Sequence, residues 1–462
     1  MTTISTVDIQ LDAKERARKD LLYRSSVFKI PFIDPLSFYK KGKKWFQGER
    51  FFWKDPDDEL IIVGLGIVKK IELIEPSGRF EALQKKWNDI IEKTVIQHSY
   101  NVPGTGPLLF GGISFDPQIV PSNEWIDFSP VMFYLPSIML TVYDNETYLT
   151  MNGPLTDHWE KELEKQKDWL FKQFVLEEEI IEEPIPAIVT VNEPNAEQWK
   201  ETVRRVINQI QTGELDKVVL ARKKYIQFSE AILSDRVLQR LWDEQHKSFI
   251  FSLEANKSCF IGASPERLVR KMHHEVLSTC LAGSIKRGLT MEEDESLGEE
   301  LLNDRKNVQE HKFVVSMIRD VMEALCSEVD IPDEPTLMKT RDIQHLYTPV
   351  KGYTDEKTSL LQFVQRLHPT PALGGVPREK AMETIRKVEG MNRGFYAAPI
   401  GWMDYEGNGE FAVAIRSGVL RNNEATLFSG CGVVADSQPD SEFQETRMKF
   451  RPMLRAIGGT DV

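Results

Sequence analysis

Cysteine is scarce and scattered in this chain: Cys259, Cys280, Cys326 and Cys431 are the only four in 462 residues. Their spacing matches no zinc or dithiol motif, and four thiols in so long a chain do not make a disulfide scaffold. A reducing cytosol is therefore the expected setting. Positive charge is also in deficit, with 58 Lys and Arg against 71 Asp and Glu and a formal net charge of −13. That balance argues against nucleic acid or an anionic membrane as a bulk partner, while leaving room for a local positive pocket. No apolar run reaches bilayer-spanning length, and Asp8, Asp12 and Glu15 are wrong for a signal peptide. Gly64-Leu65-Gly66 lacks the further glycine and the strand-to-helix context of a dinucleotide fingerprint. His311 beside Glu310 lacks the second histidine of a zinc-protease helix. Internal repeats and low-complexity segments are absent as well.

What is present is enough apolar material, 41% of residues, for one large domain or two lobes. Leu60–Gly66, Leu108–Ile113 and Val131–Leu135 read as buried or half-buried strands. A helical pattern begins near His158 and becomes charge-rich through Glu177-Glu178-Glu179 and Glu182-Glu183, before Pro184 and Pro186 break it. That is the best internal boundary, or else a surface connection within one domain. Trp199, Val203, Val206 and Ile210 share a face of a helix predicted over Asn195–Thr212, ended by Gly213. It leads into a short strand over Asp216–Arg222 that carries Lys217. Phe249–Leu253 is a further strand, and a long helix over Leu301–Leu325 carries Glu310 and His311. Strands and helices alternate in groups without regular strand-helix-strand units, which favours a mixed α/β (α+β) protein over a Rossmann domain or a barrel.

The stretch from Gly401 to Lys449 holds the densest chemistry. It contains Arg416 in Ala414-Ile415-Arg416-Ser417, a glycine turn in Ser429-Gly430-Cys431-Gly432, and the carboxylates Glu442 and Glu445. Pro439 marks a helix start, Ser441 with Gln444 fits a capping box, and spacings of three and four align Glu442, Glu445 and Lys449. On its own terms Glu445 with Lys449 also fits a surface ion pair, and the glycines fit a plain tight turn. Together with the arginine they fit an anion grip beside a metal grip.

As an ordered set, these motifs resemble the chorismate-utilising enzymes, most closely the isochorismate synthases of menaquinone or siderophore pathways. The resemblance runs from about Trp199 to Ile457. It is carried by Lys217–Arg222, Gly262–Arg267, Leu281–Ser284, Glu310-His311, Gln344-His345-Leu346, His368–Ala372 and the terminal glycine and glutamate motifs. It implies one large domain spanning 1–462, with large antiparallel sheets surrounded by helices. A variable portion, 1–185, would complete the fold, and 195–457 would bear the motifs. The implied reaction converts chorismate to isochorismate by adding water at C2 as the C4 hydroxyl leaves. By position, Lys217 matches the base on water and Glu266 the acid on the leaving group. Glu310 and Glu445 match carboxylates that hold Mg²⁺, with Glu442 in an outer or water-mediated place. Tyr396, Arg416, Gly430, Gly432 and Lys449 match substrate-binding positions; His345 and Thr370 match the pocket near the ring, and Ala282 and Gly283 its wall. An acid glutamate and a base lysine both imply an enclosed pocket that moves their titrations toward neutrality. His311 is expected to serve structure. Ser284 stands where many relatives have threonine. Cys280-Leu281-Ala282-Gly283-Ser284 lacks the lysine of the aminodeoxychorismate branch, which disfavours a lysine nucleophile there. No glutaminase partner is implied. Salicylate synthase, anthranilate synthase and a non-catalytic chorismate-binding protein remain as alternatives.

Overall fold

A computed structural model of the protein describes residues 20–460 apart from 99, 120–121, 176–183 and 194–195. The charge-rich run at 177–183 thus lies outside the described residues.

Among the described residues the strand pairings are antiparallel apart from one parallel pair, and they follow two ribbons that diverge from Val131–Tyr143. One ribbon passes through Leu60–Leu73, Arg50–Lys54, Phe249–Ala255, Ser258–Ser264, Ser417–Arg421 and Glu424–Val433 to Lys217–Phe228. The other passes through Leu108–Ile113, Pro399–Asp404, Gly409–Val413, Arg267–Met272 and Glu275–Lys286 to Ile343–Tyr353. Strands from the first 143 residues therefore pair directly with strands from the later part. Phe51, Phe110, Leu220, Phe260 and Val413, drawn from both ribbons, share one buried core. The architecture is a mixed α/β fold with a large antiparallel sheet and peripheral helices.

Local sequence explains most of these elements. The run Leu60-Ile61-Ile62-Val63 is buried throughout, and Gly64 exists for contact: a Cβ there would stand 2.0 Å from the Phe51 ring. The helix predicted over Asn195–Thr212 is observed over Ala196–Gln211; it buries Val203, Val206 and Ile210, and Gly213 follows it at φ +82°. The helix predicted over Leu301–Leu325 is two, Met291–Asn303 and Arg305–Leu325. Asp304 divides them because its carboxylate accepts the backbone N–H of Asn307 at 2.8 Å, a cap that competes with continuous helix. The capping box expected at Ser441 and Gln444 does not form. The C-terminal helix, Pro439–Ala456, starts two residues before Ser441, with Gln438 at the N-cap and the proline ring presetting its first turn. Among the described residues no helix is long and apolar enough to cross a membrane.

Candidate active site

The far ends of the two ribbons meet around a cavity of about 130 Å³. Lys217–Phe228 and Glu424–Val433 form one wall, and Glu275–Lys286 with Ile343–Tyr353 the other. The helices Arg305–Leu325 and Pro439–Ala456 contribute Glu310 and the terminal carboxylates.

The glycine motif expected to be a turn is strand. Gly430 pairs with Ala221 and Gly432 with Val219 in the ladder. Their lack of side chains makes room: a Cβ on Gly432 would lie 2.9 Å from Lys217 Cε and 3.4 Å from Glu310 Oε1. A Cβ on Gly430 would lie 3.2 Å from the Tyr396 hydroxyl. Lys217 is 2% exposed, and its Nζ donates to Glu310 Oε1 at 2.5 Å. Tyr396 is held by stacking on Phe428 at 5.4 Å between ring centroids.

Glu266 follows Pro265 in the short link between Ser258–Ser264 and Arg267–Met272. Its N–H donates to Ser264 Oγ at 3.2 Å, and its carbonyl accepts from Val413 N at 3.0 Å. Its buried carboxyl is pushed up to about 7 by desolvation, which outweighs the nearby charges of Lys449, Lys217 and Arg416. A carboxyl in that state holds a proton near neutral pH and can give it away. Arg416 is buried beside it at φ +50°, a left-handed backbone, and its Nη1 has no hydrogen-bond partner among the described residues. A desolvated guanidinium with a free donor calls for a carboxylate.

On the opposite wall the ladder slips between Leu281 and Ser284, and Gly283 takes φ +80° in that bulge. A Cβ on Gly283 would stand 3.1 Å from both Asn307 and Leu346 side chains. The carbonyl of Ala282 bonds His311 Nδ1 at 3.0 Å, and His311 Nε2 bonds Thr348 Oγ1 at 2.7 Å, so both ring nitrogens are engaged in structure. Ser284 Oγ meets His345 Nδ1 at 2.8 Å. Burial, reinforced by Arg416 and Lys449, pushes His345 down to about 3. The ring is neutral, and its buried Nε2 has no partner among the described residues.

Glu442, Glu445 and Lys449 line the cavity from one face of the C-terminal helix. Lys449 Nζ donates to Glu445 Oε1 at 2.5 Å and to the Gly430 carbonyl at 3.3 Å. The Glu442 carboxyl is pushed up by burial and then by Glu445, and its buried Oε2 has no partner among the described residues. Among the described residues no three His, Cys, Asp or Glu side chains are gathered closely enough to hold a metal ion. The donor chemistry nonetheless suits a hard divalent cation: Glu310, Glu442 and Glu445 all line the cavity, and Glu442 Oε2 is buried without a partner among the described residues.

Lys217 thus reaches the site through Glu310, and the other residues expected there line it, with one exception. Thr370 does not line the cavity. Its carbonyl accepts from Leu373 and Gly374 N–H groups in a tight turn, and that turn delivers Ala372 and Leu373 to the wall instead. Lys306 and Asn307, in the first turn of Arg305–Leu325, line the cavity unannounced. Their signal was available: they stand four and three residues before Glu310, on its helical face.

Solved structures share this fold. The menaquinone-specific isochorismate synthase MenF of Escherichia coli superposes with a TM-score of 0.76, 22% identity, and coverage of 96% of this chain and 97% of that one. The fold is that of the chorismate-utilising enzymes. Sequence comparison reaches further. The chain is 43% identical over 438 residues to isochorismate synthase MenF of Bacillus subtilis, covering 93% of this chain and 92% of the relative. It is 34% identical over 441 residues to the salicylate biosynthesis isochorismate synthase of Pseudomonas aeruginosa, covering 94% and 90%. The family model described as chorismate binding enzyme matches residues 9–458, and the chain belongs to that family.

Proposed function

We propose that the protein is an isochorismate synthase that isomerises chorismate in menaquinone biosynthesis. The observation that carries the reading is one cavity lined by Glu266, whose carboxyl is raised to about 7, by Arg416 with its unpartnered Nη1, and by Glu310, to which the buried Lys217 is bonded. The extent of identity to MenF of Bacillus subtilis supports the same choice.

In this reading Arg416 and Tyr396 hold a substrate carboxylate, while the Gly430 and Gly432 backbone and Lys449 receive the other. Lys217 leaves Glu310 and gives up its ammonium proton to solvent as substrate binds, and the neutral amine then takes a proton from water as the water oxygen bonds to C2. The ring double bonds shift, the C4–O bond breaks, and Glu266 gives its proton to the departing hydroxyl, which leaves as water. Return of the proton from Lys217 to Glu266 restores both groups. His345, neutral and fixed by Ser284, lies beside the ring. Mg²⁺ held by Glu310 and Glu445, with Glu442 next to them, would supply positive charge for the ring carboxylate in a wall otherwise repulsive to it. Residues 1–185 complete a single domain with the motif-bearing part, the enzyme works in the cytoplasm, and it needs no glutaminase subunit.

The test is incubation of purified protein with chorismate, with and without Mg²⁺ and with and without ammonia, followed by chromatography and mass spectrometry. Isochorismate that forms only with Mg²⁺ is expected. Salicylate with pyruvate would replace the reading with salicylate synthase, an ammonia-dependent aromatic amine with anthranilate synthase, and binding without product with a non-catalytic protein.

A further inference from the structure

We propose that Arg222, the last residue of the Lys217–Arg222 motif, is a positioning residue that sets the rotation of the C-terminal helix and so aims Glu442 and Glu445 into the cavity. The proposal rests on the functional reading above for its activity readouts. Arg222 is 5% exposed and does not line the cavity. Its guanidinium lies 4.0 Å from the Phe443 ring and 5.2 Å from the Phe450 ring, and its Nε donates to Thr446 Oγ1 at 2.6 Å. Its Nη2 donates to the Phe443 carbonyl at 3.4 Å. Each of these contacts falls one residue after a cavity residue: Phe443 after Glu442, Thr446 after Glu445, Phe450 after Lys449. The helix therefore carries two adjacent stripes, one seated on Arg222 and one facing the cavity, about 100° apart around its axis.

The seat is braced on both sides. The Thr446 hydroxyl that accepts from Arg222 donates in turn to the Phe443 carbonyl at 2.7 Å, and Ser429 Oγ donates to the Thr446 carbonyl at 2.9 Å. Glu193 lies against Arg222 and, at 3.3 Å, pairs with Lys224. In the ladder Arg222 is opposite Ser429, next to the Gly430–Ala221 pair that forms the cavity wall. One strand pair thus sets both the wall and the angle of the helix that faces it. A planar guanidinium can stack on phenylalanine and donate sideways to threonine at the same time; an ammonium cannot.

The test uses Arg222→Lys, which keeps the charge and loses the fork, and Thr446→Val, which keeps the shape and loses the acceptor. Mg²⁺ binding to the purified protein without chorismate is measured by calorimetry, alongside KM for chorismate and thermal melting. Residues that orient metal ligands typically change affinity about 10–100-fold, so Arg222→Lys is expected to weaken Mg²⁺ binding about 10-fold or more and to raise KM. Thr446→Val is expected to shift both in the same direction by a smaller factor, and it carries the test if Arg222→Lys does not fold. Wild-type Mg²⁺ affinity and KM in the folded variants, whatever their melting temperatures, would reduce Arg222 to packing and overturn the proposal. Wild-type protein that neither binds Mg²⁺ nor turns over chorismate would overturn the functional reading and, with it, the role assigned to the aim of these carboxylates.

Discussion

Glu254 and Glu266 are each 5% exposed, yet burial leaves their protons in opposite states. Around Glu254, burial would raise the carboxyl, but Arg50 pairs with it and Ser234 Oγ and Gly48 N–H donate to it, so it is held below its ordinary range. Arg50 also bonds Asp235 and the Tyr39 carbonyl, and the whole cluster is satisfied. Around Glu266, by contrast, burial is opposed only by the charges of Lys449, Lys217 and Arg416, and burial wins. The same cavity leaves Arg416 Nη1, His345 Nε2 and Glu442 Oε2 without partners among the described residues. Desolvation alone does not decide the fate of a buried carboxyl; the donors built around it do. A satisfied cluster holds the fold, and an unsatisfied one is prepared for something else to complete it.

That contrast can be broken most sharply by Glu266→Gln, which keeps the shape and removes the acid. Turnover of chorismate is expected to fall about 10²–10⁴-fold, the range for a general acid, in a discontinuous isochorismate assay; a near-normal rate would end its assignment. Glu254→Gln should do the reverse, costing about 3 kcal/mol in urea unfolding because Arg50 loses one of its two buried carboxylate partners and keeps only Asp235, while the folded fraction keeps its activity. A smaller effect separates the two sites by pH. The folded Glu266 carboxyl sits near 7, above its unfolded value, so the unfolded chain releases this proton first and stability falls as pH rises between roughly 4.5 and 7. Glu266→Gln should therefore melt higher than wild type at pH 8, by up to about 3 kcal/mol, and show little gain at pH 4. An equal melting shift at both pH values would contradict the placement of that proton. The smallest effect belongs to Lys449→Met. Because the lysine is the leading cation drawing Glu266 downward, its loss should move the alkaline fall of kcat/KM upward by about half a pH unit, whatever happens to the rate itself.

The legible part of the site was the part that chemistry restricts to few residue types. The roles proposed for Glu266, Arg416 and Glu310, a proton donor, a carboxylate clamp and a cation ligand, came to those residues through the motifs that resemble the chorismate-utilising enzymes. The helix Ala196–Gln211 was legible because four apolar residues repeat at its period. What escaped was whatever depends on which partner a backbone group or side chain takes, near in the chain or far. Gly430 and Gly432 look like a turn until Val219 and Ala221 are set opposite them. Thr370 looks like pocket lining until its turn carries Ala372 and Leu373 to the wall in its place. Asp304 looks like one more polar residue on a long helix, and only the reach of its carboxylate to Asn307 shows that the helix restarts there. Lys306 and Asn307 depended on no such partner, since they precede Glu310 by four and three residues on the same helical face.

Arg416 holds a backbone angle, φ +50°, that glycine adopts freely and an L side chain adopts at a cost of about 1 kcal/mol or more. Laboratory selection of this gene for heat resistance alone would therefore reward Arg416→Gly, relaxing the chain and discarding the guanidinium in one step. Only a selection that also requires product would keep the arginine, so its retention or loss among heat-resistant survivors would show which trait had been selected.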